Sequence, residues 1–367
     1  MSDQNYELHG AHRSVVAFWK KRRLRFKTPA GTSRGVLTEK PTWYLIVEDT
    51  ETKRIRALGE CSPIPDLSVD DLGKIEEVLE NVCRGFEPDM VLDDALRSRF
   101  PCVAFGLESV LLDLCHEGDG VLFPSDFTEE RRSISINGLI WMGDAEYMRR
   151  QIKRKIEENY SCIKIKIGAL DFDHECAMLA DIRKKFGPDS LDLRVDANGA
   201  FTPQTALRKL QRLAAYRLHS IEQPIAPGQW ECMADLCRKT PVPIALDEEL
   251  IGVTSTFDQA RLLEEIKPHY IVLKPSLLGG FLQSERWIDL AEKMNVGWWV
   301  TSALESAVGL NAIAQWTASL GNLDGKMAQG LGAGKIYDND LTSPLYLNRD
   351  RLRFRKNPKW SYSEIRL

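Results

Sequence analysis

The chain has 367 residues, with 49 lysines and arginines against 53 aspartates and glutamates, so its formal net charge is −4. It is 43% hydrophobic and 28% charged, a balance typical of an ordinary globular protein and unlike that of collagen-like, disordered or disulfide-stapled chains. The small net charge argues against a protein built to coat nucleic acid. The length predicts about two domains.

No part of the sequence is typical of a membrane span, because the longest uncharged run, 306–323, carries several amides and hydroxyls. The first ten residues lack the basic and apolar regions of a secretory signal. The eight cysteines form no CxxC pair and are expected to be reduced side chains. The sequence therefore predicts a cytoplasmic protein that does not cross a membrane.

The first part of the chain predicts a small α+β unit. Residues 14–19 and 43–47 are short apolar runs that are expected to be strands. The segment 28–35 between them is rich in Gly, Ser, Thr and Pro and is expected to be a loop that closes over the site. Apolar residues recur with helical spacing over 69–84 and 102–115, which predicts two helices.

After residue 134 short β-rich runs alternate with longer amphipathic helical stretches. The eight runs are 133–137, 162–167, 191–196, 219–222, 244–247, 270–274, 298–301 and 327–330. This alternation predicts βαβ units and a parallel sheet, closed as a (β/α)8-type barrel. An open, doubly wound sheet is the alternative, although no GxGxxG turn follows an early strand.

Ionisable residues stand at the ends of five successive runs in this barrel. In chain order they are Lys164 and Lys166, then Asp196, Glu222, Asp247 and Lys274. The steps from Lys166 onwards are 30, 26, 25 and 27 residues, each about one βα unit. Since the carboxyl ends of barrel strands line the active site, we expect these side chains to meet there.

The three carboxylates point to a metal ion. Asp196, Glu222 and Asp247 would repel one another strongly as bare anions, unless they are protonated or gathered around a cation. Ligation by oxygen alone, with room for water, suits Mg²⁺ better than Zn²⁺.

The lysines point to proton abstraction. Lys166 and Lys274 are four strands apart in a ring of eight, so they should face each other across the mouth. A substrate carboxylate on the metal would have its α-carbon between the two amines, and the cation would stabilise the enediolate that forms when the α-proton leaves. Lys164 shares the inward strand face with Lys166, two residues later. The predicted substrate is therefore a small-molecule carboxylate.

The strand-end motifs carry a family resemblance. They are Lys164-Ile165-Lys166, Asp196-Ala197-Asn198, Glu222-Gln223-Pro224, Asp247-Glu248 and Lys274-Pro275. Together they resemble the enolase superfamily, in its muconate-lactonising-enzyme subgroup. The resemblance implies an α/β fold in which an N-terminal α+β capping domain covers a (β/α)7β TIM-like barrel. It also implies Lys166 and Lys274 as the acid/base pair, and Asp196, Glu222 and Asp247 as ligands of Mg²⁺, with Mn²⁺ as the alternative ion.

The corresponding domain limits are 1–125 for the capping domain, completed by about 340–367, and 126–339 for the barrel. Within the subgroup the chain most resembles the o-succinylbenzoate synthase family, through Arg194, Asn198 and segments 302–306 and 330–334. Segments 29–35 and 59–63 of the capping domain add to this resemblance. It implies dehydration of a cyclohexadiene carboxylate with a succinyl chain, a step towards menaquinone. N-succinylamino acid racemases and dipeptide epimerases share the motifs, so the motifs do not separate these reactions.

Several further residues are candidates for substrate contact or for support of the site. They are Lys164, Arg194, Asn198, Glu248, Ser302, Ser306 and Arg34. Arg34 and the hydroxyls of 302–306 could meet a substrate carboxylate, or the first could be a free surface arginine and the second a helix cap.

The run 20–27 is strongly basic and supports a third hypothesis, a protein that binds nucleic acid without catalysis. A solvated strand fits the overall acidic charge better, and the same run could steer an anionic substrate. We therefore expect no nucleic-acid partner. A homo-oligomer is an option that the sequence leaves open.

Overall fold

The structure is a computed structural model, and it describes residues 15–32, 35–116, 118–321, 327–332, 336–356 and 365. The strands are β1 (Val15–Thr32), β2 (Gly35–Asp49), β3 (Ile55–Cys61), β4 (Ile134–Ser135), β5 (Gly138–Ile140), β6 (Cys162–Lys166), β7 (Asp192–Asp196), β8 (Ser220–Glu222), β9 (Ile244–Leu246), β10 (Tyr270–Leu273), β11 (Gly297–Val300), β12 (Leu345–Asn348) and β13 (Arg351–Phe354). The α-helices are α1 (Ile75–Arg84), α2 (Asp94–Arg99), α3 (Pro101–Cys115), α4 (Ala145–Glu157), α5 (Phe172–Arg183), α6 (Pro203–Leu213), α7 (Trp230–Lys239), α8 (Thr256–Ile266), α9 (Pro275–Leu278), α10 (Phe281–Lys293) and α11 (Ala307–Ser319). None of these helices has the length and apolar character that crossing a bilayer would need.

A long antiparallel hairpin, β1 and β2, starts the capping domain, and β3 pairs with β2 as a third strand. The hairpin pairing continues to Thr32 opposite Gly35, after a shift in register between Arg25 and Ala30. The prediction of a loop over 28–35 is therefore wrong for residues 28–32 and 35, which are the part of this segment that the structure describes. An irregularity in the ladder accommodates the extra residues of β1, so the flanking residues keep their pairing.

The helices of the capping domain pack on this sheet. α3 matches the helix predicted over 102–115, whereas the helix predicted over 69–84 begins only at Ile75. β3 and α3 meet at two glycines, Gly59 and Gly106. A Cβ atom added at Gly59 would overlap the Gly106 carbonyl, so this close crossing needs glycine.

The barrel consists of parallel strands in the order β11-β10-β9-β8-β7-β6-β5. Residues 327–332 complete the ring through single bridges, from Gln329 to Ile136 and from Gly330 to Thr301. Buried aliphatic residues of the strands and of the surrounding helices form one large core. The prediction of an α/β TIM-like barrel with an N-terminal α+β unit is confirmed.

Two segments pair differently from the prediction. The strand beside β6 is β5, and the predicted run 133–137 divides: Ile134 and Ser135 form β4, which pairs with β13 of the C-terminal tail, while Ile136 bridges Gln329 in the barrel. The tail was expected against the capping domain. Leu352 and Phe354 instead join the barrel core, while Leu341 and Ile365 do pack on the capping domain. The tail thus contacts both units, and the domain limits given above remain predictions.

Two glutamates of the capping domain bind the N-termini of barrel helices. The Glu60 carboxylate, on β3, accepts hydrogen bonds from the backbone N–H groups of Ser306 (2.8 Å) and Gly309 (2.7 Å), where α11 begins. The Glu108 carboxylate, on α3, accepts one from the N–H of Phe281 (2.5 Å), where α10 begins. Carboxylates are favourable there because the first N–H groups of a helix have no partner within it. These contacts fix the capping domain relative to the barrel.

The glycine crossing predicts a stability effect. Gly59→Ala forces a methyl group against the backbone of α3 and should lower the free energy of unfolding by about 1–3 kcal/mol. Gly187→Ala is the matched control, because a Cβ atom there meets no atom within 4 Å. Urea unfolding of both variants checks the effect. Equal stability of the two variants would contradict the crossing as described.

Candidate active site

The register of the parallel sheet brings the charged strand ends together. Lys166 of β6 pairs with Asp196 of β7, and Asp196 pairs with Glu222 at the end of β8. Asp247 follows β9 directly, and Lys274 follows β10. Because neighbouring parallel strands end at the same edge of a barrel, these five side chains share its mouth.

Lys166 and Lys274 contact carboxylates at opposite ends of the row β7-β8-β9. Lys166 Nζ lies 3.1 Å from Asp196 Oδ2. Lys274 Nζ contacts Asp247 Oδ2. The two amines thus approach the acidic cluster from its two sides, as a pair of groups acting on one bound substrate requires.

Lys164 lies between two of the carboxylates. Its Nζ is 2.5 Å from Glu222 Oε1 and 2.9 Å from Asp196 Oδ2. Burial alone would lower the pKa of Lys164, but the charges of Asp196, Glu222 and Asp247 outweigh burial and hold the pKa above its usual value. Lys164 is therefore an ammonium group that offsets part of the negative charge of the cluster.

The three carboxylates fit a divalent cation. One oxygen from each of Asp196, Glu222 and Asp247 lies within 4.8 Å of the others, and all three side chains are buried. Within the described part of the chain, Glu222 Oε2 and Asp247 Oδ1 have no hydrogen-bond partner. Burial and the charge of Asp196 raise the pKa of Glu222 to about 8, so the site disfavours three bare anions. A cation would satisfy both the unpaired oxygens and the excess charge.

Asn198 connects Lys166 to Glu248. Lys166 Nζ donates a hydrogen bond to Asn198 Oδ1 (2.6 Å), and Asn198 Nδ2 donates one to Glu248 Oε1 (3.0 Å). The backbone N–H of Asn198 binds Asp196 Oδ1 at 3.0 Å. Asn198 therefore orients the amine of Lys166 and links it to the carboxylate cluster.

A cavity of about 400 Å³, large enough for a small organic acid, opens onto the lysines and Asp196, whereas Glu222 and Asp247 are not among its lining residues. Its polar lining residues are Asp66, Asn137, Lys164, Lys166, Asp196, Asn198, Glu248, Lys274, Thr301 and Ser302. The capping domain contributes residues 35–37 and 64–67 to the wall. The cavity is thus formed by both units of the fold.

The remaining candidates are distributed differently. Ser302 lines the cavity. Ser306 does not: it is the N-cap of α11, and its hydroxyl donates a hydrogen bond to Glu60 Oε2 (2.6 Å). The helix-cap interpretation of Ser306 is therefore the one that the structure supports. Arg34 lies outside the described residues.

Arg194 is also absent from the cavity wall. Its guanidinium stacks on Trp299, 4.3 Å from the ring centroid, and donates to the Ala328 carbonyl at 2.8 Å. Arg194 shares the inward face of β7 with Asp196, but it lies two residues deeper in the barrel. The inward direction was predictable from the period of two, whereas the depth was not.

Sequence reasoning missed the apolar wall of the cavity. Leu37, Ile64, Leu67, Trp141 and Leu304 line it. Ile64 directly follows the segment 59–63 that resembles related capping domains. The spacing of apolar residues in the sequence does not distinguish a residue that faces a cavity from one that faces the core.

The basic run 20–27 lies on β1. Three of its side chains form ion pairs on the exposed strand, Lys21 with Glu76, Arg23 with Glu39 and Arg25 with Asp338. These pairs favour the interpretation of a solvated strand.

The chain is similar to known proteins over most of its length. Residues 147–352 match the family model described as enolase C-terminal domain-like. The chain is 46% identical, over 358 residues, to an o-succinylbenzoate synthase of Desulfotalea psychrophila. This match covers 89% of this chain and 95% of that protein. The chain is 31% identical, over 199 residues, to an N-succinylamino acid racemase of an Amycolatopsis species, covering 54% of this chain and 51% of the racemase.

A solved structure extends the similarity to the whole fold. The crystal structure of MenC from Desulfotalea psychrophila aligns with a TM-score of 0.81 and 42% identity, over 92% of this chain and 99% of that one. The matches include both the capping unit and the barrel. The chain therefore belongs to the enolase superfamily, in its muconate-lactonising-enzyme subgroup.

Proposed function

We propose that this chain is a lyase that forms o-succinylbenzoate, by syn-elimination of water from a hydroxycyclohexadiene carboxylate with a succinyl chain. The observation that carries the proposal is the 46% identity to an o-succinylbenzoate synthase along nearly the full length of both chains. The site supports it, because two lysines flank an acidic cluster at a cavity that both units of the fold line. The reaction belongs to menaquinone biosynthesis.

We assign Asp196, Glu222 and Asp247 as ligands of Mg²⁺, with Mn²⁺ as the alternative ion. A divalent cation there supplies positive charge to stabilise the negative charge that develops on the substrate carboxylate as the α-proton leaves. Lys164 completes the charge balance from its place between two of the ligands.

Lys166 is the proposed catalytic base and acid. In its neutral form the amine removes the α-proton from the substrate. The resulting ammonium then gives that proton to the departing hydroxyl on the same face, so that water leaves and the ring becomes aromatic. Asn198 and Asp196 hold Nζ in position for both steps.

Lys274 stabilises the anionic intermediate by its charge. Burial would lower the pKa of Lys274, but Asp247 and Glu248 outweigh burial and keep the pKa above its usual value. An ammonium on that side can attract the developing negative charge without exchanging a proton.

The second candidate is racemisation of N-succinyl amino acids. The similarity to an N-succinylamino acid racemase favours it, although that similarity covers only 54% of this chain. A racemase would use Lys166 and Lys274 alternately as base and acid on opposite faces.

We also propose a cytoplasmic location, which the eight free thiols support. A small-molecule carboxylate is the proposed partner, and a nucleic acid is not. Assembly into a homo-oligomer stays an open prediction.

The function is tested by assaying the cyclohexadiene substrate and N-succinyl amino acids side by side. We expect kcat/KM for dehydration to exceed that for racemisation. Lys166→Ala should lower kcat for dehydration by about 10²–10⁴-fold, because the proposed base is removed. Lys153→Ala, at an exposed ion pair, is the control. Dominant racemase activity, or full turnover by Lys166→Ala, would refute the proposal.

The role of Lys274 is tested by comparing Lys274→Arg with Lys274→Ala. Arginine keeps the charge but cannot exchange a proton at neutral pH. If the role is electrostatic, Lys274→Arg should dehydrate about tenfold faster than Lys274→Ala. Any racemisation should be lost in both variants. Equal dehydration rates for the two variants would contradict an electrostatic role.

Metal binding is tested by thermal unfolding, independently of turnover. Adding Mg²⁺ to chelator-treated protein should raise Tm, because an ion that binds only the folded state stabilises it. Asp247→Asn should lose most of this shift. Asp192→Asn, an exposed change at the other end of β7, should keep it. The ion assignment would be wrong if Mg²⁺ left Tm unchanged in the wild type, or if both variants shifted equally.

A further inference from the structure

Leu304 has an unusual backbone conformation. Its φ is +63°, in the left-handed region that leucine rarely adopts. The residue lies in the short connection between β11 and α11. Strained residues of this kind persist only where their surroundings hold them, and they cluster at functional sites.

Two buried side chains hold this conformation. The Leu304 carbonyl accepts hydrogen bonds from Lys40 Nζ at 3.0 Å and from the Tyr337 hydroxyl at 2.6 Å. Lys40 belongs to β2 of the capping domain, and Tyr337 precedes the C-terminal tail. Both are almost fully buried, with 0% and 1% of their surface exposed. The donors therefore reach one carbonyl from two different parts of the chain.

Lys40 also binds the loop of the capping domain that lines the cavity. Its Nζ donates to the Ser62 hydroxyl at 2.6 Å and to the Ser62 carbonyl at 3.2 Å. Residues 64–67, which follow Ser62, contribute to the cavity wall. The Lys40 side chain thus couples the wall segment of the capping domain to the wall segment of the barrel.

The hydrogen bonds from Lys40 and Tyr337 form a clamp on the Leu304 carbonyl, and the clamped residue lies in the cavity wall. It packs in one apolar cluster with Leu37, Trp141 and Tyr337, and Leu37, Trp141 and Leu304 all line the cavity. The reacting groups, Lys166 and Lys274, line the same cavity. A bound substrate therefore meets polar groups at one part of the wall and this apolar cluster at another.

We propose that Leu304 is a specificity-determining residue that contacts an apolar part of the substrate, and that Lys40 and Tyr337 are positioning residues that hold it there. The inference rests on the proposed function in one respect, that the substrate is an organic acid turned over by Lys166. The competing explanation is that Lys40, Tyr337 and Leu304 only join the two units and have no effect on substrate binding.

Side-chain removal tests the contact. Leu304→Ala should raise KM about tenfold and change kcat by less than about twofold, because the lost apolar contact is made equally in the ground state and the transition state. Leu304→Gly should raise KM similarly, yet be more stable than Leu304→Ala, since glycine adopts positive φ without strain. Leu207→Ala, a half-buried leucine of α6 outside the cavity, is the control and should leave KM unchanged.

A double-mutant cycle tests the clamp. Tyr337→Phe keeps the ring and removes one donor, so it should raise KM about threefold in the wild type. In the Leu304→Ala background the same change should leave KM as it is, because Tyr337 acts through a side chain that is no longer there. A structural role predicts that Tyr337→Phe lowers Tm in both backgrounds without moving KM in either.

Unchanged KM in both Leu304 variants would overturn the proposal, and so would an equal effect of Tyr337→Phe on KM in the two backgrounds. Failure of the proposed function gives a different result. If the wild type racemises N-succinyl amino acids instead of dehydrating the diene, the same KM comparisons are made with those substrates, and the role of Leu304 stands or fails on them.

Discussion

Mutual repulsion among three buried carboxylates is the constraint around which the site is arranged. At an effective dielectric constant of about 20, two unit charges about 5 Å apart repel by about 3 kcal/mol. Lys164, Lys166 and Lys274 each offset part of this charge through direct contacts. Within the described residues, Glu222 Oε2 and Asp247 Oδ1 of this cluster still have no hydrogen-bond partner, and a divalent cation is the group that would complete the balance.

The capping domain is part of the same arrangement, because the cavity wall comes from both units. Glu60 and Glu108 bind the first N–H groups of barrel helices, which orients the sheet of the capping domain over the mouth. Lys40 adds a contact between the two wall segments. The position of the capping domain on the barrel therefore determines the shape of the cavity. A change at the junction can alter binding without touching a reacting group.

Predictions that relied on local pattern succeeded where one feature decided the outcome. The barrel followed from strand–helix alternation, and the strand-end residues followed from steps of one βα unit. The local sequence pattern was insufficient where it left more than one pairing or position open to a segment. The Gly- and Pro-containing segment 28–32 stayed within β1, and residues 30–32 paired with β2 after a register shift. Ile134 and Ser135 of the run 133–137 paired with β13, and Arg194 stacked on Trp299 below the cavity.

The sequence by itself determined the fold class and the placement of the charged residues, because the period of two within strands and the βα repeat put the lysines and carboxylates at one edge of a barrel. It also determined the superfamily through the five strand-end motifs. Only the tertiary structure decided which apolar residues line the cavity and how the two units dock. Those features depend on contacts between segments distant in the chain, such as Lys40 with Leu304, and no local pattern records such contacts.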